Sequence, residues 1–261
     1  MQKRHKDRFS YFQEQVITTK KHVIPFVSEY IDFGENTSVL EIGCGEGGNL
    51  KPFVELKCKV VGIDMNANKI KNANVFFEQD VKENNIQFIQ KDIYDADDLD
   101  QFDFIFLRDV LEHIHNQERF INYVVKFLKP NGFLFLGFPP FQNPFGGHQQ
   151  ICKSKVLALT PYYHNLPTGL YRRILKWFGE SDYQIENLIE VKQTGITIER
   201  FYKIVGNSPF EIIKQTFYLI NPNYQIKFGL KPRVIWKPLS KIPYLRNYII
   251  TTNYFLLKKR N

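Results

Sequence analysis

One stretch constrains this chain more than any other: Val39-Leu40-Glu41-Ile42-Gly43-Cys44-Gly45-Glu46-Gly47-Gly48, a short apolar run that ends in four glycines within six positions. An apolar strand that enters a glycine-rich turn and then a helix is the opening unit of an open parallel α/β sheet, in which ligands bind at the carboxyl ends of the strands. Glycine is expected in such a turn where a ligand lies directly on the backbone and a Cβ would collide with it. Gly43, Gly45 and Gly48 also satisfy the G-x-G-x-x-G spacing of dinucleotide sites, so the glycines alone leave the cofactor open.

The rhythm that follows extends the sheet. Short apolar runs alternate with helix-like stretches from Thr37 to Pro140, and five strands are predicted: Ser38 to Gly43, Lys59 to Asp64, Ile86 to Ile93, Phe102 to Asp109 and Gly132 to Phe138. Asp109 to Phe127 has the apolar spacing of one amphipathic helix, stopped by Lys129-Pro130-Asn131-Gly132. Roughly Tyr11 to Tyr30 is predicted as a helix kinked or split at Pro25. After Pro140 come closely spaced prolines, glycines and aromatics, then a helix over Thr197 to Val205, a sixth strand over Phe210 to Ile220 and a seventh over Asn253 to Arg260. The expected fold is therefore α/β, a Rossmann-like seven-stranded sheet with helices on both faces. The expected divisions are a core over residues 1–140, an inserted cap over 141–195 and a C-terminal completion of the core over 196–261. A length of 261 residues suits one large domain with an insertion, and 43% hydrophobic residues against 24% charged exclude a disordered chain.

Three acids narrow the choice of ligand. Glu41 lies two residues before the first glycine, where dinucleotide-binding strands usually carry an apolar residue. Asp64 ends the second strand 21 residues after Gly43, where an acid can accept both hydroxyls of a ribose. Asp92 ends the third strand, where a carboxylate can accept an exocyclic amine of an adenine along the sheet edge.

In these features the sequence resembles the class I S-adenosylmethionine (SAM) dependent methyltransferases, in particular the group that includes the ubiquinone and menaquinone biosynthesis enzymes. The resemblance covers Thr37 to Pro140. It rests on E-x-G-x-G-x-G as Glu41, Gly43, Gly45 and Gly47, on Asp64 and Asp92, on Phe102-Asp103 opening the fourth strand, on Asp109-Val-Leu-Glu112-His113 after it, and on Leu128-Lys-Pro-Asn-Gly132 before the fifth. It implies that SAM is the cofactor and S-adenosylhomocysteine (SAH) the product. It further implies that the turn from Gly43 through Cys44 and Gly45 to Gly47 meets the methionine and ribose portions, with Met65 beside Asp64 and Ile93 beside Asp92, and that the backbone near Arg108 receives the ammonium group. The cap and the C-terminal region match loosely, so no substrate is carried over.

Methyl transfer is an in-line displacement that depends mainly on positioning, and it needs a base only where the acceptor starts protonated. His148, in a loop after the fifth strand at the ligand-binding edge, is one candidate base, and a hydrogen-bonded loop histidine is the competing reading. His113 either caps a helix or meets a ligand, and His164 is expected to pack the cap. No metal is expected. The catechol-type enzymes that use one require an adjacent acid and amide after the fifth strand, where this chain has Phe138-Pro-Pro-Phe-Gln-Asn143.

Charge bears on partners and compartment. Phe141 to Gly179 has five bases and no acid, Ile212 to Asn261 ten bases and no acid, and the net charge is +8, so the rest of the chain sums to −7. An anionic or lipid-linked small-molecule acceptor fits the basic segments. The segment Leu170 to Phe178 is predicted as a basic amphipathic helix with Leu170, Ile174, Trp177 and Phe178 on its apolar face, either closing the site as a lid or touching an anionic membrane. Three cysteines without a CxxC pair, and a polar Met1 to Arg8 unlike a secretory signal, point to the cytoplasm. The expected activity is O-methylation of an anionic or lipid-linked small molecule. An RNA or DNA methyltransferase would account for the basic segments, but no nucleic-acid module is recognised. An NAD(P) oxidoreductase of the short-chain kind would want Tyr-x-x-x-Lys on a helix, and that spacing occurs here as Tyr254 to Lys258, in a predicted strand.

Overall fold

The computed structural model describes residues 7–83 and 85–260. The first six residues of the polar start read above lie outside them. Among the described residues eight strands form one sheet: β1 (Ser38–Ile42), β2 (Lys59–Asp64), β3 (Ile86–Gln90), β4 (Phe102–Arg108), β5 (Leu128–Phe138), β6 (Phe210–Ile220), β7 (Arg233–Val234) and β8 (Thr252–Lys259). Their order is β3-β2-β1-β4-β5-β8-β6-β7, with β1 to β5 parallel and β8 antiparallel to both β5 and β6. The central strands are buried on both faces, as an apolar run without polar alternation dictates. Leu40, Ile105, Leu107, Leu134 and Leu136 feed one core, and Val39, Phe104, Phe106 and Phe135 feed the core on the opposite face.

The α/β Rossmann-like architecture is as expected, with one strand more than the seven predicted. The addition is β7, a two-residue edge strand in the stretch read as a long loop, where Ile235 is buried and its amide donates to the Phe217 carbonyl at 2.9 Å. Two helices differ from expectation. The N-terminal one runs as α-helix over Arg8–Thr18, widens to a π-turn over Thr19–Val23 and resumes over Ile24–Val27. Pro25 lacks an amide hydrogen, and the wider turn accommodates the missing bond in place of a sharp break. The predicted helix from Asp109 to Phe127 is divided into a single 3-10 turn, Leu111–His113, and a helix, Gln117–Val124. The second piece starts at Asn116, whose side chain accepts the Arg119 amide at 2.9 Å, so Asn116 and not His113 is the cap.

Between Phe138 and Ile196 the chain builds short helices with their own apolar cluster, including Leu157, Tyr163, Tyr171, Leu175, Ile185 and Leu188. Helix Thr168–Trp177 buries Tyr171 and Leu175, while Leu170, Phe178 and Trp177 face outward, Trp177 at 85% exposure. The buried face is thus rotated from the predicted one. Its bases are engaged within the same layer, with Arg172 paired to Glu186 and Lys176 Nζ 3.5 Å from Asp182, both acids on helix Asp182–Thr194. Among the described residues no helix is long and apolar enough to cross a membrane.

Candidate functional site

A cavity of about 630 Å³ opens at the carboxyl ends of β1 to β4, within the range of about 300–1,000 Å³ typical of small-molecule sites. Ile42 and Gly43 enter from β1, Ile63 to Met65 from β2, Lys91 to Tyr94 from β3, and Asp109, Val110 and His113 to Asn116 from the segment after β4. The strand ends deliver these side chains because parallel neighbours in register finish at a common edge.

Asp64 and Asp92 occupy one wall. Asp64 accepts the Gly45 amide on Oδ2 at 2.9 Å and the Asn66 amide on Oδ1 at 2.8 Å. Asp92 Oδ1 accepts the Tyr94 amide at 3.0 Å. A carboxylate oxygen can accept two hydrogen bonds, so both acids keep acceptor capacity for a polyhydroxylated or amino-bearing ligand. Tyr94 packs against Tyr123 with ring centroids 4.6 Å apart and planes tilted by 49°, and the Arg119 guanidinium lies 4.7 Å over the Tyr94 ring.

The turn glycines divide by function. A Cβ on Gly43 would stand 2.7 Å from Val110 Cγ2, and one on Gly47 2.8 Å from Phe88 Cζ; at Gly45 it would meet only Lys69 Cδ at 3.9 Å. All three have positive φ. Gly43 and Gly47 are therefore demanded by the protein's own packing, which corrects the expectation that a ligand excludes every Cβ here. Gly45 alone of the three fronts open space. Cys44 turns away from the cavity: its thiol is buried, its amide bonds the Ile63 carbonyl at 3.1 Å and its carbonyl accepts the Gly47 amide at 2.9 Å.

Behind the turn lies a buried polar group. Asn49 donates to Glu41 Oε1 at 2.7 Å and accepts from Arg108 Nη1 at 3.1 Å and from Thr19 Oγ1 at 2.9 Å. Burial pushes the Glu41 carboxyl well above the usual carboxylate range, against the lowering by the Asn49 bond and the Arg108 charge. Glu41 and Arg108 thus hold the turn from below and do not line the cavity. Asn49 escaped the sequence reading, although a polar residue just past the glycines and before an apolar helix was its signal.

His113 lines the cavity and His148 stands behind it, their ring centroids 5.0 Å apart and tilted by 64°. His148 takes a left-handed backbone, φ 55°, in a loop fixed by Asn143, whose side chain donates to the Pro140 carbonyl at 2.7 Å and accepts the Phe145 amide at 2.9 Å. Burial pushes the His148 imidazole down to about 4. Beside them Glu112 is buried, and neither of its carboxylate oxygens has a hydrogen-bond partner on another residue. His164 is buried in the cap, with Nε2 2.8 Å from the Phe141 carbonyl.

The cavity wall is balanced in charge. Asp64, Asp92 and Asp109 face Lys69, Lys91 and Arg119, with Lys91 Nζ bonded to Asp98 at 3.1 Å. Lys69, Tyr94 and Arg119 were not anticipated, since helix and turn residues after a strand carry no motif of their own.

Comparison with known proteins adds the following. A family model described as a methyltransferase domain matches residues 12–147. The mitochondrial ubiquinone biosynthesis O-methyltransferase of Dictyostelium discoideum is 30% identical over 140 residues, 50% of this chain and 41% of that protein. The ubiquinone biosynthesis O-methyltransferase of Rickettsia conorii is 27% identical over 129 residues, 48% of this chain and 43% of that protein. The chain thus spans about two fifths of the length of these relatives. Among solved structures, magnesium protoporphyrin IX methyltransferase from Synechocystis with bound SAH has a TM-score of 0.55 at 14% identity, over 94% of this chain and 84% of that one. Geranyl diphosphate C-methyltransferase from Streptomyces coelicolor has a TM-score of 0.57 at 10% identity, over 93% and 79%.

Proposed function

The chain belongs to the class I SAM-dependent methyltransferase family, and from that premise we propose that it transfers the methyl group of SAM to an oxygen of a small-molecule acceptor. The observation that carries this reading is the pair of strand-end carboxylates, Asp64 and Asp92, on one cavity wall next to the open backbone of Gly45. These residues fit the cofactor: Asp64 has acceptor capacity for the ribose hydroxyls, Asp92 for the adenine amine, and Gly45 leaves room for the chain that joins them. Bound there, SAM would supply an electrophilic methyl on a sulfonium. The protein's own contribution is then orientation of two reactants in a walled cavity.

Oxygen is favoured as the acceptor atom because the curated relatives are named O-methyltransferases. The segment 141–195, expected from the sequence to cap the site, carries bases such as Arg173, which favour an anionic or lipid-linked acceptor. Calorimetric titration tests the cofactor, with SAH expected to bind and NAD not; preference for NAD would sink the assignment. Labelled methyl transfer from SAM to carboxylated or lipid-linked phenols, with RNA in parallel, tests the acceptor. Label on RNA alone would overturn the small-molecule reading.

A further inference from the structure

Residues 221–251 join β6 to β8, contain the two-residue strand β7, and lie beyond the residues that the methyltransferase family model matches. Three side chains fasten this segment to the protein. Ile235 is buried. Arg246 Nε donates to Glu199 Oε1 at 3.0 Å, and Asn247, itself buried, accepts the Ile198 amide on Oδ1 at 2.9 Å. Although held at those points, the segment leaves large apolar groups outside: Phe228, Leu230, Val234, Trp236, Tyr244 and Leu245 are all exposed, Trp236 at 69%. Strand alternation turns Val234 and Trp236 outward together, since Ile235 between them points into the core. Soluble surfaces scatter such residues singly, and a concentration of them in one segment marks a contact.

The charge around these groups has one sign. From Ile212 to Asn261 the chain carries no Asp or Glu. Arg246 pairs with Glu199, whereas Lys231, Arg233, Lys237 and Lys241 are exposed and, among the described residues, have no acid partner. Helix Thr168–Trp177, the basic amphipathic element expected from the sequence, differs: its Arg172 and Lys176 face Glu186 and Asp182. Exposed aromatic and aliphatic groups interleaved with unpaired bases match the surface of an anionic bilayer. There the apolar side chains enter the headgroup layer while the bases stay in its negative surface potential. A second copy of the chain would set like charges against one another, and a soluble polyanion would leave the apolar groups in water. We propose that residues 228–245 dock this protein on a bilayer that contains anionic lipid. Docking of this kind is independent of the methyl-transfer reading.

The test is co-sedimentation of the full chain with vesicles of phosphatidylcholine alone and of phosphatidylcholine with phosphatidylglycerol. Binding to the second kind is expected, and it should weaken with salt, because the Debye length shortens from about 10 Å at about 0.1 M to about 3 Å at about 1 M. Each of Lys231→Gln, Arg233→Gln, Lys237→Gln and Lys241→Gln should lower the partition coefficient about fivefold, which is about 1 kcal/mol per base at the surface. In a Trp177→Phe chain the remaining tryptophan is Trp236, and its fluorescence should shift to shorter wavelength when anionic vesicles are added. Arg172→Gln with Lys176→Gln should leave partition unchanged. No binding to anionic vesicles at low salt, binding that the four substitutions together do not lower, or unshifted Trp236 emission would overturn the proposal. Loss of binding on the Arg172 and Lys176 changes alone would also overturn it and move the contact to helix Thr168–Trp177. So would a dimer in solution that the four substitutions dissociate, which would make a second copy the occupant. The four bases are exposed, so their replacement removes charge from a chain that still folds, and the Trp236 shift decides the outcome without them.

Discussion

Asp64 holds the amide of Gly45 at 2.9 Å while its other oxygen holds Asn66. The acid that would receive a ribose is thus also the anchor of the turn that would pass under it. Asp64→Ala removes both, and SAH affinity should fall by about 1.5–3 kcal/mol, as expected for hydrogen bonds to a charged acceptor. Calorimetry reads it, and equal affinity would place the ligand elsewhere.

The glycines should separate in the same assay. At Gly45→Val the added Cβ would meet only Lys69 Cδ, at ordinary contact distance (3.9 Å), but the residue has to hold φ near +58°, a strain of about 1–3 kcal/mol. It should abolish SAH binding in a chain that still folds. Gly43→Ala would drive a methyl into Val110, and overpacking of that kind costs about 1–3 kcal/mol of stability. Denaturant unfolding of the two variants beside their SAH titrations checks the contrast.

His164 makes stability depend on pH. Burial pushes it from 6.5 to about 4, and its neutral ring places Nε2 on the Phe141 carbonyl at 2.8 Å and Nδ1 3.3 Å from Gln149 Nε2. The folded pKa is below the unfolded one, so the unfolded chain binds more protons between those values. The contribution is fully present above about pH 6.5 and is lost as pH falls toward 4, amounting to on the order of 3 kcal/mol. Urea unfolding at pH 7.0, about 5.5 and about 4.5 should show the decline, and His164→Gln should lessen it, with His148, likewise pushed down to about 4 by burial, supplying a remaining part.

The cap's ion pairs predict a salt effect. Arg172 and Lys176 face Glu186 and Asp182 across two helices. Arg172→Gln with Lys176→Gln should lower the thermal midpoint at low ionic strength, and the difference should shrink in high salt because exposed pairs are screened. A difference insensitive to salt would mean packing, not charge, joins the helices.

What could be read from the sequence, and what could not, follows from the range of the forces involved. The glycine turn, Asp64 and Asp92 were legible because a strand end and the turn after it are local patterns. The face of helix Thr168–Trp177 was not, since Tyr171 and Leu175 are chosen by Tyr163, Ile185 and Leu188, which the helix's own periodicity does not contain. The break at Asn116 was hidden in the same way: apolar spacing continues across Ile114, and the interruption depends on Gln117, whose side chain bonds the carbonyls of Leu111 and of distant Thr194. His148 was singled out from its loop, but its convergence with Glu112 needed the fold.

The place of β8 has a consequence for how the sheet is assembled. Thr252–Lys259 lies between β5 and β6, so each of those strands keeps an unpaired backbone edge until residues 252–259 have been made. Bare edges are templates for intermolecular pairing, and pairings of high sequence separation form slowly. A nascent chain arrested before Thr252 would therefore have its cofactor turn built and its cavity wall in order, yet remain an aggregation hazard, and chaperone demand should peak at that length and drop once the final strand inserts.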